Sequence, residues 1–284
     1  MVKDIITTKH LLNLRGRLYD FEEPMVMGVL NLTPDSFYDG GRYDTLGKII
    51  IQTKKMLDEG ATIIDIGGYS SRPGASHIET REEIKRVVPV ISALVSEFND
   101  ILISVDTFRS EVAQEAIEAG ACMINDISGG SMDGHMMKTI ASLQVPYVVM
   151  HMRGTPRDMQ EQTNYEDLLL SIIGHLNQLV HELNDAGIKD IIIDPGIGFA
   201  KTVDQNYEIL HFLDYFKVLE RPLLIGLSRK SMIYKALDVG PDDSLNGTTA
   251  LHSIALSKGA DILRVHDVKE AVQTIKLLKK LAIP

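Results

Sequence analysis

Eight short apolar runs, separated by helix-length stretches, constrain the fold of this chain more than any other feature. They are Met25 to Leu30, Thr62 to Ile66, Ile101 to Val105, Cys122 to Asn125, Val145 to Met150, Ile191 to Ile193, Leu223 to Leu227 and Ile262 to Val265. Runs with so little alternation suit strands covered on both faces, as in a parallel sheet. Between them, Lys48 to Asp58 sets Ile50, Ile51, Met56 and Leu57 at helical spacing, and Glu83 to Phe98 does the same with Val87, Val90, Ile91, Leu94 and Val95. Gly60, Gly120, Gly187 and Gly259 stand where helix C-caps are wanted, each ahead of the next strand. This alternation, without a Pro/Ser-rich linker, predicts an α/β chain: a (β/α)₈ TIM barrel over residues 25–284 as one domain. A doubly wound open sheet is the alternative, because periodicity alone does not show closure. Residues 1–24 read differently, with Leu11 to Leu14 and Leu18 to Phe21 flanking Gly16 as a hairpin extension able to cover the barrel's N-terminal end.

Composition narrows the function classes. Apolar residues make up 44% and charged ones 24%, ordinary globular usage that excludes wholesale disorder or a disulfide-stapled miniprotein. Lys and Arg number 29 against 39 Asp and Glu, a net charge of −10, which argues against nucleic acid or an anionic membrane as partner. A small anionic substrate stays open. A single cysteine, Cys122, forms no internal disulfide, and no run approaches the ~18 apolar residues of a membrane span. The N-terminus also lacks a signal-length apolar run, so a cytoplasmic location is expected.

In a parallel barrel the chemistry sits where the strands end. There the sequence places Asn31, then Gly67-Gly68-Tyr69-Ser70-Ser71-Arg72-Pro73, then Asp106-Thr107-Phe108-Arg109, then Asn125-Asp126, and then His151. Asp194-Pro195-Gly196-Ile197-Gly198-Phe199, Ser228-Arg229-Lys230-Ser231 and Arg264-Val265-His266-Asp267 complete the set. Singly, Asp106 reads equally well as a helix N-cap and Asp194 as a turn starter. Eight polar strand ends together exceed what capping needs, because ordinary βα loops run about 2–6 residues. The glycine pairs Gly40-Gly41 and Gly67-Gly68 suit mobile lids. His151, inside an apolar stretch, reads as a satisfied core histidine, and Cys122 as a small buried hydrophobe. Met150 and Met152 fit core filler or a soft wall for a flat ligand. There is no Walker A, GxGxxG, GxSxG or HExxH motif, and no Cys/His cluster.

The segments MGVLNLTPDSFYDGG (27–41), DIGGYSSRPGA (65–75), VDTFRSEVA (105–113), NDISGG (125–130), DPGIGFAK (194–201), GLSRKS (226–231) and RVHDV (264–268) together resemble the dihydropteroate synthases, a family of pterin-binding enzymes. The likeness spans about residues 11–270 in family order. TPDSF and SRPG are specific to that family, whereas DPGIGF and VDTFR types recur in other pterin-binding barrels. The resemblance implies a homodimeric (β/α)₈ transferase of folate synthesis. It would join 6-hydroxymethyl-7,8-dihydropterin pyrophosphate to p-aminobenzoate, with Mg²⁺ as cofactor and sulfonamides as inhibitors. It assigns the pterin to Asp106, Asn125, Ile127, Met150, Asp194 and Lys230. The pyrophosphate goes to Asn31, Arg72, Arg264 and His266, with Asn31 on the metal. For p-aminobenzoate it implies Phe37, Ser71, Arg72, Pro73, Phe199, Lys230 and Ser231, with Asp35 and Asp39 in a lid. Lys230, Asp106, Arg264 and His266 would carry catalysis.

The chemistry agrees with the resemblance. A pterin presents a guanidine-like edge of donors that carboxylates match, and a leaving pyrophosphate needs cations. Two positions depart from the family: Tyr69 stands where it often has Glu, and Ser71 where it often has Thr. Two other readings compete, a methyltransferase acting on methyltetrahydrofolate and a corrinoid, and a silent pterin-binding barrel. Neither gives the Lys230-Ser231 and Arg264/His266 pairs a use.

Overall fold

A computed structural model of the chain describes residues 10–32, 42–70 and 77–281. Eight parallel strands form its centre: β3 (Met25–Asn31), β4 (Ile63–Gly67), β5 (Ile103–Asp106), β6 (Met123–Asp126), β7 (Tyr147–Met150), β8 (Ile191–Asp194), β9 (Leu224–Ile225) and β10 (Ile262–Val265). Their hydrogen-bonded order is β8-β7-β6-β5-β4-β3-β10-β9. A parallel bridge between Ile193 and Leu223 joins β8 to the start of β9 and closes the ring. That excludes the open doubly wound sheet. Helices alternate with the strands: α1 (Arg42–Glu59), α2 (Thr80–Glu97), α3 (Ser110–Glu118), α4 (Met136–Leu143), α5 (Leu168–Asp185), α6 (Val203–His211), α7 (Ser231–Ala236), α8 (Leu245–Ser257) and α9 (Val268–Leu281).

Local chemistry sets the helix ends. The Asp167 side chain accepts from Leu170 N at the start of α5, and Thr202 with Gln205 forms a reciprocal capping box on α6. Gly60, Gly120, Gly187 and Gly259 all take positive φ, between 85° and 112°, where a side chain would be strained.

The hairpin pairs β1 (Leu11–Leu14) with β2 (Arg17–Asp20) around Arg15 and Gly16, at φ 54° and 78°. Two successive left-handed residues match the strand twist in a two-residue loop. Leu12 and Leu14 are buried with Met27, Ile63, Met123, Val148, Ile192, Leu224 and Ile262, so the hairpin plugs the N-terminal end of the barrel. Each leucine contributes about 1.5–3 kcal/mol by burial.

This apolar floor also positions the site. Side chains two apart on a strand share a face. Moving two residues toward the C-terminal ends, the interior changes from Ile63 to Asp65, Met123 to Asn125, Ile192 to Asp194 and Ile262 to Arg264. On β5 the same step runs from Leu102 to Ser104 to Asp106. Outward-facing residues of the same strands, such as Ile64, Ile66, Ile124 and Val149, pack under the helices in the main core.

Candidate active site

The lower tier of the mouth is a charged network across four strands. Arg264 Nε donates to Asp65 Oδ2 at 2.6 Å, and Nη2 donates to Asp106 Oδ2 at 2.7 Å. Asn125 Nδ2 donates to the same Asp65 Oδ2 at 3.1 Å. Asp65 is fully buried, while Asp106 and Arg264 keep 17% and 21% of their side-chain surface open. Burial, opposed by Arg264 and reinforced by Asp65, pushes the Asp106 carboxyl up to about 7. Burial also works against the Arg264 cation, but Asp65 and Asp106 overcome it and hold the guanidinium firmly protonated. Asp106 is thus no N-cap: Arg109 holds that place on α3, without a side-chain cap bond.

The upper tier gathers on the loop after β8. Asp194 is buried, and its Oδ1 accepts from Gly196 N at 2.7 Å, so the turn-starting reading and a place at the mouth hold together. Lys230 Nζ donates to Ile197 O at 2.5 Å and lies 4.8 Å from the centre of the Phe199 ring, a cation–π distance. Burial lowers the Lys230 pKa to about 8 against the pull of Asp194. Phe108, Ile127 and Met150 form an apolar wall, with Tyr69, Met132, Met152 and Phe199 packed against it. Met150 and Met152 therefore belong to this wall rather than to the main core.

Beyond β9, Ser231 opens α7 directly after Lys230. His266, exposed at the end of β10, has its backbone N–H and its Nδ1 each 3.2 Å from Ser228 Oγ. Arg229 grips Asp267 through two bonds of 2.8 Å, tying these two strand-end loops together. On β3, the strand next to β10, the Oδ1 of Asn31 adjoins Gly67 of β4.

Several expected residues therefore converge: Asp106, Asn125, Ile127, Met150, Asp194, Phe199, Lys230, Ser231, Arg264, His266 and Asn31 all stand at the C-terminal mouth. Arg264 differs from its sequence reading, because two of its donors face carboxylates. Asp35, Phe37, Asp39, Ser71, Arg72 and Pro73 lie outside the described residues. Asp126 points away from the mouth and accepts from Tyr147 Oη, Ser128 and Gly130, fixing the turn after β6.

Sequence reasoning passed over three buried charges. Asp65 is one. Lys201 is another: its Nζ donates to Gly196 O at 3.0 Å and Phe199 O at 2.9 Å, and lies 3.1 Å from His151 Nδ1. Burial lowers the Lys201 pKa to about 7. His151, expected as a satisfied core histidine, is buried with that partner. Glu83 is the third, paired with Arg109 at 2.7 Å under Tyr69 and Phe108.

The family model described as pterin binding enzyme matches residues 27–266, from β3 to the end of β10. The Bacillus subtilis dihydropteroate synthase is 45% identical over 259 residues, covering 90% of this chain and 88% of its own. The chain belongs to the dihydropteroate synthase family. The Escherichia coli K12 dihydropteroate synthase is 42% identical over 267 residues, covering 93% of this chain and 94% of its own. Solved dihydropteroate synthases share the barrel. The Yersinia pestis enzyme, in a sulfonamide drug complex, superposes with a TM-score of 0.89 at 41% identity, over 96% of this chain and 99% of that one. The Xanthomonas albilineans enzyme with 4-aminobenzoic acid gives 0.90 at 37% identity, over 98% and 100%. Among the described residues no helix is long and apolar enough to cross a membrane.

Proposed function

We propose that this mouth joins 6-hydroxymethyl-7,8-dihydropterin pyrophosphate to p-aminobenzoate, giving 7,8-dihydropteroate and pyrophosphate, with the following division of labour. The observation that carries it is the convergence of Asp106, Asn125 and Asp194 from three strand ends beside Lys230. Carboxylates in a site shielded from water recognise the donor-rich edge of the pterin through charge-assisted bonds. Lys230 offers its ammonium to the carbonyl and N5 side of the ring. The apolar wall of Phe108, Ile127 and Met150 supports the ring face.

The exocyclic CH₂ then points toward Arg264 and His266. As the C–O bond breaks, pyrophosphate leaves with the electron pair, and the electron-rich dihydropterin spreads the positive charge left on carbon. The arylamine nitrogen attacks that carbon and afterwards loses its proton to solvent. An arylamine is neutral at pH 7, so catalysis rests on positioning and electrostatics rather than on a strong base. The Ser231 hydroxyl and backbone N–H receive the p-aminobenzoate carboxylate, and Phe199 with the Lys230 stem forms its ring slot. Phe37, Ser71, Arg72, Pro73, Asp35 and Asp39 would close over it.

Mg²⁺ fits the donor set in a limited way. Among the described residues no group of three His, Cys, Asp or Glu side chains could hold a metal, but Mg²⁺ commonly takes one protein oxygen and completes its shell with water and substrate phosphate. The Asn31 Oδ1 would be that oxygen, and the ion would offset charge on the departing pyrophosphate. Sulfonamides, as p-aminobenzoate mimics, are expected to compete at the Ser231 side. A homodimer is proposed as well, supported by Leu237, just past α7, and Ile254 on α8, which are apolar and exposed.

The test is direct: supply both substrates with Mg²⁺ and follow pyrophosphate and dihydropteroate. Equimolar release of the two supports the assignment. Pterin binding without product would favour a silent pterin-binding barrel.

A further inference from the structure

Asp65 stands two residues before the end of β4, bonded to groups just assigned to substrate, and its bonding has a consequence for specificity. It is fully buried in the barrel interior, on β4 beside Ser104 of β5. The Arg264 guanidinium at 2.6 Å pairs it as a carboxylate, which has acceptors and no donor. One oxygen, Oδ2, takes both the Arg264 Nε–H and the Asn125 Nδ2–H. The other, Oδ1, is buried without a hydrogen-bond partner among the described residues, so the carboxylate's need for donors exceeds its supply. Turning the Asn125 amide over would set its carbonyl oxygen against this carboxylate, acceptor against acceptor, inside a buried site where the repulsion is poorly screened. The amide therefore has one orientation. Its Nδ2 faces down to Asp65, and its carbonyl Oδ1 is left for the ligand.

We propose that Asp65 is a specificity-determining positioning residue, which touches no substrate but fixes the Asn125 amide so that the site offers an acceptor to the 2-amino group of a pterin. The inference rests on the placement of the pterin against Asp106, Asn125 and Asp194. A ring bearing an oxo group at that position meets an acceptor with an acceptor and is rejected. Arg264 takes part because it holds the Asp65 carboxylate at a fixed angle from β10, two strands along the ring, across β3. The selectivity is thus built by strands β4 and β10 and displayed by β6.

The test compares binding of 6-hydroxymethylpterin and 6-hydroxymethyllumazine, which differ in 2-amino against 2-oxo and, with it, in a bare ring N1 against N1–H, by titration calorimetry. Both lack pyrophosphate, so an anion-binding role of Arg264 does not enter. The wild-type chain is expected to prefer the pterin strongly. Asp65→Asn gives position 65 a donor as well as an acceptor and lets the Asn125 amide turn. The preference ratio is expected to fall by about tenfold or more, the worth of one hydrogen bond reversed. A merely structural role would weaken both ligands equally, and an unchanged ratio would overturn the proposal. If Asp65→Asn does not fold, the wild-type protein labelled with side-chain ¹⁵N-Asn answers instead. The Asn125 amide protons should resist exchange with and without pterin. Protection that appears only when pterin binds would overturn it. Failure of the wild type to bind the pterin at all sinks the assignment of function, whereas an unchanged ratio with tight pterin binding sinks this inference alone.

Discussion

Replacing Asp106 by Asn probes the centre of the site with little change in shape. The wild-type carboxylate accepts from Arg264 Nη2 at 2.7 Å and stands at the mouth where the pterin edge is placed. Asn keeps one acceptor oxygen and the side-chain volume but loses the charge. A hydrogen bond to a charged group is worth about 1.5–3 kcal/mol, so the pterin dissociation constant should rise roughly 10- to 150-fold. The effect on folding should be smaller. Arg264 retains Asp65 at 2.6 Å, and both members of the lost pair are partly open to solvent, so about 1–2 kcal/mol is expected rather than the larger cost of an orphaned buried ion. The chain has no tryptophan, so pterin fluorescence can be followed without interference, and urea denaturation gives the stability change. A pterin affinity within twofold of wild type would show that the ring lies elsewhere. A stability loss beyond about 4 kcal/mol would show that Asp106 serves the barrel more than the ligand.

Ser231→Ala should raise the KM for p-aminobenzoate about tenfold and leave the pterin KM unchanged; the reverse pattern would exchange the two subsites. Lys201 supplies a pH test. Its folded-state pKa is lowered from 10.5 to about 7, so between about pH 7 and 10.5 the unfolded chain holds the extra proton and stability rises with pH. Lys201→Met removes that rise, on the order of 5 kcal/mol across the window, and parallel pH profiles for the two proteins would refute the burial argument. Leu14→Ala should cost about 2–4 kcal/mol in denaturant unfolding with kcat unchanged, because Leu14 is fully buried in the plug at the end away from the mouth.

The legible part of the fold was its strands. Apolar runs bounded by a polar residue mark a buried parallel strand and its C-terminal end in the same few letters, which is why Asp106, Asn125 and Asp194 stood out. The hairpin was legible for a related reason, since Gly16 sits between two short strands. Asp65 was not, because it lies inside the run from Thr62 to Ile66, and its side is set by a register that a single sequence does not display. The clue was present in the period of two: Ile63 and Asp65 share a face, as do Met123 and Asn125. Lys201 was missed because a lysine after a glycine-rich loop usually faces water. Only the folded loop turns the carbonyls of Gly196 and Phe199 onto its ammonium. Closure of the barrel rests on one bridge between Ile193 and Leu223, a pairing across about thirty residues that local pattern does not reach.

The most direct measurement is a crystal structure of this chain with 7,8-dihydropteroate bound. The pterin edge is expected on Asp106, Asn125 and Asp194, with the Asn125 carbonyl toward the 2-amino group, the aminobenzoyl ring beside Phe199 and the Lys230 stem, and its carboxylate at Ser231. A product ring lodged away from these three strand ends, or an Asn125 amide turned with its nitrogen toward the 2-amino group, would contradict it.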